Sequence, residues 1–217
     1  MTKPIFSPFA NKNIQNIIFD LGGVILNIDY NLTINAFRKL GAHNFDTLFT
    51  QAEQVNLFDK LDKGLISPGE FRDGVRQITS LNINDQQIDN AWNAMLLDLP
   101  MVRLDLLKNV NQHYKMYLLS NTNAIHFDEY NRYLKKNHGI ENLSHLFHKE
   151  YYSHIVHDRK PNKQIFNLIL NENGLKPEET VFIDDSIQHV EAANKIGILA
   201  YHLNIPKGES IEKLFSN

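Results

Sequence analysis

The 217-residue sequence contains no cysteine. This absence excludes disulfide bonds, thiolate nucleophiles and thiolate metal sites, so any chemistry has to come from carboxylates, hydroxyls, histidines and lysines. A chain without disulfides suits a reducing compartment, and we therefore expect a cytoplasmic protein.

The sequence also lacks an excess of positive charge and a long apolar run. It has 22 lysine and arginine residues against 25 aspartate and glutamate residues, and the net charge is -3. Nucleic acids and anionic membrane surfaces attract basic proteins, so we expect neither as a partner. A membrane span needs roughly 18 consecutive apolar residues, and no segment approaches that length.

The most informative segment lies near the N-terminus. Residues 17–19 are large and apolar and predict a buried strand that ends at Asp20, and Gly22 and Gly23 then allow a sharp turn. An ionised carboxylate in this position costs several kcal/mol to desolvate unless a cation or hydrogen-bond donors meet it. We therefore expect partners for Asp20 elsewhere in the chain.

The rest of the chain divides by its hydrophobic pattern. Residues 31–97 predict helices and no strand; Ser67 and Glu70 form a capping box that opens one helix through about residue 78, and residues 88–96 predict another. Further strands are predicted at 116–119, 150–155, 181–183 and 198–203, alternating with helices at 104–110, 124–136, 161–173 and 187–196. Such alternation predicts an α/β fold with a Rossmann-like, doubly wound parallel sheet.

Three parts follow from this division. Residues 1–13 are predicted to form an N-terminal arm, residues 14–30 and 98–217 an α/β core domain, and residues 31–97 an inserted all-helical domain.

Polar side chains follow each predicted strand of the core. In an open parallel sheet, ligands bind where the carboxyl ends of the strands meet. Carboxylates brought together there would repel each other unless a hard cation such as Mg²⁺ lay among them. A hydroxyl and free N–H groups at a helix N-terminus, together with a lysine, would hold a phosphate. The residues that follow the strands are Asp20, then Ser120 and Asn121, then Lys160, then Asp184 and Asp185.

Each of these residues alone has an ordinary structural explanation as a turn or helix-cap residue. Their occurrence at four strand ends in succession favours a functional site.

The order of the motifs resembles that of the haloacid dehalogenase (HAD) superfamily over essentially the whole chain. Within the superfamily the chain is similar to sugar-phosphate phosphatases of the bacterial α-D-glucose-1-phosphate phosphatase type, which also contain Asp-Leu-Gly and Leu-Ser-Asn-Thr-Asn. The resemblance implies that residues 31–97 form a helical C1-type cap. The matching motifs are Asp20-Leu21-Gly22-Gly23-Val24, Leu118-Leu119-Ser120-Asn121, Lys160-Pro161 and Phe182-Ile183-Asp184-Asp185.

The resemblance also implies a mechanism. Asp20 would attack phosphorus to form an aspartyl-phosphate that water then hydrolyses. The residues implied to hold Mg²⁺ are Asp20, the carbonyl of Gly22 and Asp185, with Asp184 binding directly or through water. Those implied to bind the phosphoryl group are Ser120, Asn121 and Lys160. We expect the substrate to be a phosphate monoester of a small metabolite, first of all a sugar phosphate, and the protein to be a monomer or weak homodimer.

Gly22 departs from the family pattern, because most phosphatases of this type carry an acid–base aspartate there. The loss of such a group typically costs about 10²–10⁴-fold in rate. A substitute group, a substrate with a good leaving group, or a protein that binds phosphorylated ligands with little turnover would each explain the glycine. His126 is the first candidate substitute, although a structural role for a helical histidine is more common, and Asp62 and Glu70 are weaker candidates.

Three other interpretations remain. Phosphomutase action is one of them, and the missing acid at position 22 counts against it most. A 2-haloacid dehalogenase also uses a strand-end aspartate without a second acid, but the extra carboxylates of Asp184 and Asp185 would hinder an anionic substrate. A histidine metal site is disfavoured, because alternate side chains of an extended segment point to opposite sides and no thiolate completes a zinc set. The histidines concerned are His145, His148, His154 and His157.

Overall fold

A five-stranded parallel sheet forms the centre of the molecule. The structure, a computed structural model, describes residues 5–47 and 57–216. In chain order the strands are β1 (Ile5–Phe6), β2 (Asn16–Phe19), β3 (Lys115–Ser120), β4 (Lys149–Tyr152), β5 (Thr180–Asp184), β6 (Leu199–His202) and β7 (Phe215–Ser216). The central sheet has the order β4-β3-β2-β5-β6 with all neighbours parallel, and β1 pairs separately with β7. The predicted α/β class with a parallel sheet is confirmed.

Helices connect the strands and extend beyond the sheet. In chain order they are α1 (Tyr30–Lys39), α2 (Leu57–Asp62), α3 (Pro68–Thr79), α4 (Asp85–Asn93), α5 (Met101–Asn111), α6 (Ala124–His138), α7 (Ser153–Val156), α8 (Lys163–Asn173), α9 (Ile187–Asn194) and α10 (Ile211–Leu214). Short 3₁₀ turns occupy Ser7–Phe9, Ser144–Leu146, Pro177–Glu179 and Ile205–Lys207. Within the described ranges, none of the helices is both long and apolar enough to cross a membrane.

The sheet is buried on both faces, as its near-continuous apolar strands predict. Ile17 and Phe19 of β2 belong to one buried cluster and Ile18 to another. Successive side chains of a strand point to opposite faces, so the two clusters cover the two sides of the sheet. This burial holds the strand that ends at Asp20 rigidly in the middle of the molecule.

The helices α1 to α4 pack around a third cluster, which is rich in aromatic residues. The ring of Phe58 lies 5.1 Å from that of Trp92 and 5.8 Å from that of Phe71, measured between centroids. Phe37 stacks on Phe45 at 3.9 Å. We call residues 30–47 and 57–93 the helical insert. The helical insert packs against α6 through Ile125, which belongs to the same cluster.

Two chain segments connect the helical insert to the sheet, and they run side by side. The backbone N–H of Asp29 donates to the carbonyl of Met95 at 2.9 Å, and the N–H of Leu97 donates to that of Asn27 at 3.0 Å. These antiparallel hydrogen bonds fix the position at which α1 begins relative to the strand end of β2.

The local capping signals are confirmed. The Ser67 side chain accepts from the N–H of Glu70, and the Glu70 carboxylate accepts from the N–H of Ser67 at 2.7 Å, at the start of α3. Asn84 and Gln87 form a second box at the start of α4.

The predicted strand at 150–155 is wrong in its second half. β4 ends at Tyr152, which pairs with Ser120, the last residue of β3. Its neighbour ends there, so β4 has no further backbone to pair with, and residues 153–156 form α7. The Ser153 hydroxyl instead donates to the carbonyl of Thr122 at 2.7 Å. The helix predicted from residue 161 begins two residues later, at Lys163.

Candidate active site

The carboxyl ends of β2, β3 and β5 meet at one edge of the sheet. β2 lies between the other two, with Phe19 paired to Leu118 on one side and to Ile183 on the other. β3 and β4 lie on one side of β2, and β5 and β6 lie on the other. A crevice forms where the strand order reverses in this way. A cavity of about 750 Å³ lies there, and its lining includes Asp20, Gly22, Ser120, Asn121, Lys160 and Asp185.

Lys160 is the most deeply buried charged residue of the site. Its Nζ lies 2.8 Å from Oδ1 of Asp20 and 2.7 Å from Oδ2 of Asp184, and it donates to the carbonyl of Leu119 at 3.0 Å. Burial alone would lower the pKa of Lys160, but the charges of Asp184 and Asp20 outweigh it and raise the pKa. The lysine is therefore a permanent cation between two carboxylates.

Asp20 is buried and surrounded by negative charge. Burial, and then the charges of Asp184 and Asp185, raise its pKa well above the usual range, although Lys160 opposes them. Its Oδ1 accepts hydrogen bonds from the N–H of Leu21 at 2.7 Å and from Lys160. Within the described part of the chain, Oδ2 has no such partner.

Asp184 lies behind the cavity and is completely buried. Its carboxylate accepts from Lys160, from the N–H of Ser186 at 2.7 Å, and lies 3.0 Å from Nδ1 of His189. Burial would raise the pKa of Asp184, but Lys160 and His189 outweigh it and lower the pKa. Asp184 therefore fixes the position of the lysine.

His189 contacts Asp184 but belongs to none of the four sequence motifs. It lies five residues after Asp184, in the first turn of α9, where a helix that starts directly after the strand returns a side chain toward the strand end. That spacing was the available signal.

The approach of Asp185 requires a glycine at position 23. A Cβ placed on Gly23 would lie 2.2 Å from Oδ2 of Asp185, and the glycine has φ +76°. A side chain here would displace the Asp185 carboxylate and strain the left-handed backbone. The half-buried Asp185 carboxylate thereby lies against the turn that follows Asp20, and burial, followed by the charge of Asp184, raises its pKa.

The residues at this edge suit a hard cation. Asp20, Asp184 and His189 offer ligand atoms that all lie within 4.8 Å of one another. His189 and Asp184 already bond to each other, so the oxygens of Asp20, Asp185 and the Gly22 carbonyl fit Mg²⁺ better than a site with nitrogen does. Burial raises the pKa values of Asp20 and Asp185, and the charges of the neighbouring carboxylates add to the rise; a cation bound between them would oppose both effects.

Ser120 and Asn121 lie on the opposite side of the cavity from the carboxylates of β5. Ser120 is the last residue of β3, and the side-chain amide of Asn121 bonds both to the N–H and to the carbonyl of Lys160, each at 2.9 Å. The predicted position of Ser120 and Asn121 at a helix N-terminus is not observed, because α6 begins at Ala124 and its N-cap is Asn123. The hydrogen bond between the Thr122 N–H and Ser153 keeps the intervening chain extended.

His126 is not placed to act as an acid. Its Nε2 bonds the carbonyl of Trp92 at 3.1 Å, its Nδ1 lies 3.2 Å from the amide nitrogen of Asn123, and its ring stacks on Trp92 at 5.0 Å. Burial lowers the pKa of His126 to about 4, so the ring is neutral at physiological pH. Glu70, another candidate, does not line the cavity and is engaged in its capping box.

Asp62, at the end of α2, connects the helical insert to the loops of the site. One oxygen accepts from the side chain of Asn123 at 3.2 Å, and the other lies 3.0 Å from the guanidinium of Arg159, the residue before Lys160. Burial raises the pKa of Asp62, although Arg159 opposes it. Asp62 lines the cavity, as does Arg159.

The four histidines at 145, 148, 154 and 157 do not form a metal site. Nδ1 of His157 bonds the carbonyl of Lys63 at 2.8 Å, and Nδ1 of His148 lies 3.3 Å from the N–H of Met116. Among the described residues, the group able to hold a metal contains none of the four.

Comparison with known proteins places this geometry in a family. Residues 14–197 match the profile of the haloacid dehalogenase-like hydrolases. A D-ribitol-5-phosphate phosphatase from Bacteroides thetaiotaomicron is 29% identical over 189 residues, which cover 85% of this chain and 89% of that protein.

Two solved structures extend the comparison. A HAD family enzyme from Bacteroides thetaiotaomicron, in complex with magnesium and inorganic phosphate, is 38% identical with a TM-score of 0.82, covering 94% of this chain and 100% of that chain. A protein from Porphyromonas gingivalis, described as a predicted HAD-like family hydrolase, is 31% identical with a TM-score of 0.78, covering 88% of this chain and 91% of that chain.

Proposed function

This chain belongs to the haloacid dehalogenase-like hydrolases, and from that premise we propose that it is a Mg²⁺-dependent phosphatase acting through an aspartyl-phosphate on Asp20. The single observation that carries the proposal is the contact of Lys160 with one oxygen of Asp20 in a cavity where the other oxygen has no partner among the described residues. A buried cation beside a nucleophilic carboxylate is suited to an anionic substrate.

Five residues of the site then have the following roles. Oδ2 of Asp20 attacks phosphorus, while the Ser120 hydroxyl and the Lys160 ammonium contact the phosphoryl oxygens. Asn121 holds the backbone of Lys160 and acts as a positioning residue through its side chain. Asp184 keeps Lys160 in place and would help to hold the cation, directly or through water.

Asp20, Asp185 and the carbonyl of Gly22 would hold Mg²⁺. The ion would neutralise the clustered carboxylates and the developing charge on the phosphoryl group. The relative crystallised with magnesium and inorganic phosphate supports this assignment.

The leaving group faces the helical insert, which we propose as the cap domain over an α/β core of residues 14–30 and 98–217. It contributes the aromatic rings of Phe58 and Trp92 and the charged side chains of Asp62 and Lys63 to the cavity wall, and Arg159 of the core lies beside them. Aromatic rings beside hydrogen-bonding groups suit a polyhydroxylated carbon chain. We therefore propose a sugar phosphate or sugar-alcohol phosphate as substrate, and the relative named as a D-ribitol-5-phosphate phosphatase supports that class.

The dehalogenase alternative is disfavoured by the same geometry. Asp184 and Asp185 lie close enough to Asp20 for their charges to raise its pKa. An anionic haloacid would add to that repulsion without any need for the cation that the carboxylates favour.

The test is phosphate release from a panel of sugar and sugar-alcohol phosphates, with Mg²⁺ and with EDTA. We expect turnover that requires Mg²⁺ and is abolished by Asp20→Asn, while Asp105→Asn, on the exposed face of α5, retains it. Turnover by Asp20→Asn, or chloride release from 2-haloacids without metal, would contradict the proposal.

A second candidate function follows from Gly22, which lacks the usual acid. A protein that binds phosphorylated ligands without turnover would show a raised melting temperature with inorganic phosphate and Mg²⁺, and no release of phosphate from any ester.

A further inference from the structure

The position of the missing acid is filled by another side chain. A Cβ placed on Gly22 would lie 3.0 Å from Cδ1 of Ile28. Ile28 comes from the segment that leads from the turn after β2 into α1, where it pairs with Leu96. A proton donor for the leaving group therefore has to reach the cavity from another position.

Most proton-carrying side chains around the cavity are already engaged. Both ring nitrogens of His126 are hydrogen-bonded, and both oxygens of Asp62 are held, by Asn123 and by Arg159. Nδ1 of His189 bonds Asp184. Lys160 contacts two carboxylates and a carbonyl.

Tyr30 is different, because it lines the cavity with its hydroxyl uncommitted. In residues 5–47 and 57–216 no group forms a hydrogen bond with that hydroxyl. The residue is 58% exposed and lines the cavity together with Asp20 and Gly22. Tyr30 lies two residues after Ile28, so one short segment both fills the vacant position and supplies the hydroxyl.

The backbone of Tyr30 is held firmly. It is the first residue of α1, and the carboxylate of the N-cap Asp29 accepts from the N–H of Asn31 at 2.9 Å. The N–H of Asp29 is in turn bonded to the carbonyl of Met95. A side chain on a capped helix end varies less in position than one on a loop.

The hydroxyl also lies in the electrostatic field of the site. Burial is the largest cause of its raised pKa, followed by the charges of Asp20, Asp185 and Asp62. Tyr30 therefore stays protonated across the physiological range and has a proton to donate.

We propose that Tyr30 is a catalytic residue that donates its hydroxyl proton to the leaving-group oxygen, in place of the side chain that Gly22 lacks. This inference rests on the proposed phosphatase function.

The proton and electron balance is complete without another reactant. Oδ2 of Asp20 forms a bond to phosphorus while the bond from phosphorus to the ester oxygen breaks, and that oxygen takes the proton of Tyr30 to leave as an alcohol. A water molecule then attacks the aspartyl-phosphate and its proton returns to the tyrosinate. Inorganic phosphate is released and Asp20 is regenerated.

The test compares two leaving groups in the variant Tyr30→Phe. An alkyl phosphate, such as a sugar-alcohol phosphate, needs a proton on its leaving oxygen, whereas p-nitrophenyl phosphate releases a stable anion. We expect kcat/KM for the alkyl ester to fall about 100-fold or more, and kcat/KM for the aryl ester to fall less than about threefold. The matched control is Tyr201→Phe, which removes a hydroxyl bonded to Glu209 away from the cavity and should leave both values unchanged.

Equal losses on both esters would assign Tyr30 a structural role and overturn the proposal, as would no loss on either. Wild-type protein that hydrolyses neither ester would instead contradict the proposed function. A series of aryl phosphates on the wild type gives an independent measure. A weak dependence of kcat/KM on leaving-group acidity is expected, and a steep one would overturn the proposal even if Tyr30→Phe failed to fold.

Discussion

Nζ of Lys160 lies 2.8 Å from Oδ1 of Asp20, and the lysine side chain has no exposed surface. The same nitrogen lies 2.7 Å from Asp184, so one cation holds the carboxylate that lines the cavity and the buried one behind it. The balance of these three charges underlies both the stability of the site and its chemistry.

Replacing this cation should damage both properties. Lys160→Met keeps the length of the side chain but leaves two buried carboxylates without their partner, and we expect a loss of about 3–5 kcal/mol in the free energy of unfolding in urea. We also expect kcat/KM to fall by about 10²–10³ through lost phosphoryl stabilisation. The exposed Lys163→Met, in α8, should change stability by less than about 0.5 kcal/mol. A Lys160→Met protein as stable as the wild type would contradict the claim that Lys160 stabilises the two buried carboxylates.

Asp62 should control substrate affinity rather than the chemical step. Asp62→Asn leaves the Arg159 guanidinium without its closer carboxylate, at 3.0 Å, and loosens the connection between α2 and the loop that carries Lys160. We expect KM for the sugar-alcohol phosphate to rise about tenfold with kcat little changed. Asp59→Asn, whose contact with Arg159 is longer at 3.6 Å, is the matched comparison and should have a smaller effect. A fall in kcat alone would contradict this role.

His126 should make stability depend on pH. Its folded pKa of about 4 lies below the ordinary value of 6.5, so the unfolded chain binds a proton more readily. The stability that neutral His126 contributes is therefore present above pH 6.5 and is lost as the pH falls toward 4. Between pH 7 and pH 5 the free energy of unfolding should fall by about 2 kcal/mol.

The measurement is the free energy of unfolding of the wild type and of His126→Phe across this range. The variant retains an aromatic ring against Trp92 but cannot titrate, so the difference between the two curves should shrink as the pH falls. A constant difference would show that the wild-type histidine does not titrate in this way.

Gly23 should be essential for the response to Mg²⁺. Gly23→Ala places a Cβ at 2.2 Å from Oδ2 of Asp185, which has to move away from the site. We expect the Mg²⁺ concentration for half-maximal activity to rise at least tenfold, as measured by phosphate release against Mg²⁺ concentration. Gly139→Ala has a similar positive φ and no atom within 4 Å, so it should cost about 1 kcal/mol of stability without changing the Mg²⁺ dependence.

Much of the fold follows from local patterns. The apolar residues of β2, β3 and β5 predict buried strands, because a strand that is covered on both faces carries apolar side chains on both. The Ser67–Glu70 box predicts the start of α3 because the two residues satisfy each other's backbone within one turn. The end of β4 at Tyr152 was not predictable in this way, because it depends on where the neighbouring strand stops.

The sequence by itself determined which strand ends bear polar groups, because parallel strands bring their carboxyl ends to one edge whatever the details of packing. That was sufficient for Asp20, Ser120, Lys160 and Asp185 to be expected in one place, and they line one cavity. Only the tertiary structure decided which ion pairs and hydrogen bonds the groups of the site form. The contact of Lys160 with two carboxylates, the neutral state of His126 and the uncommitted hydroxyl of Tyr30 all depend on distances between segments far apart in the chain. Hydrogen bonding and desolvation act over a few ångströms, and no spacing along a sequence specifies such distances.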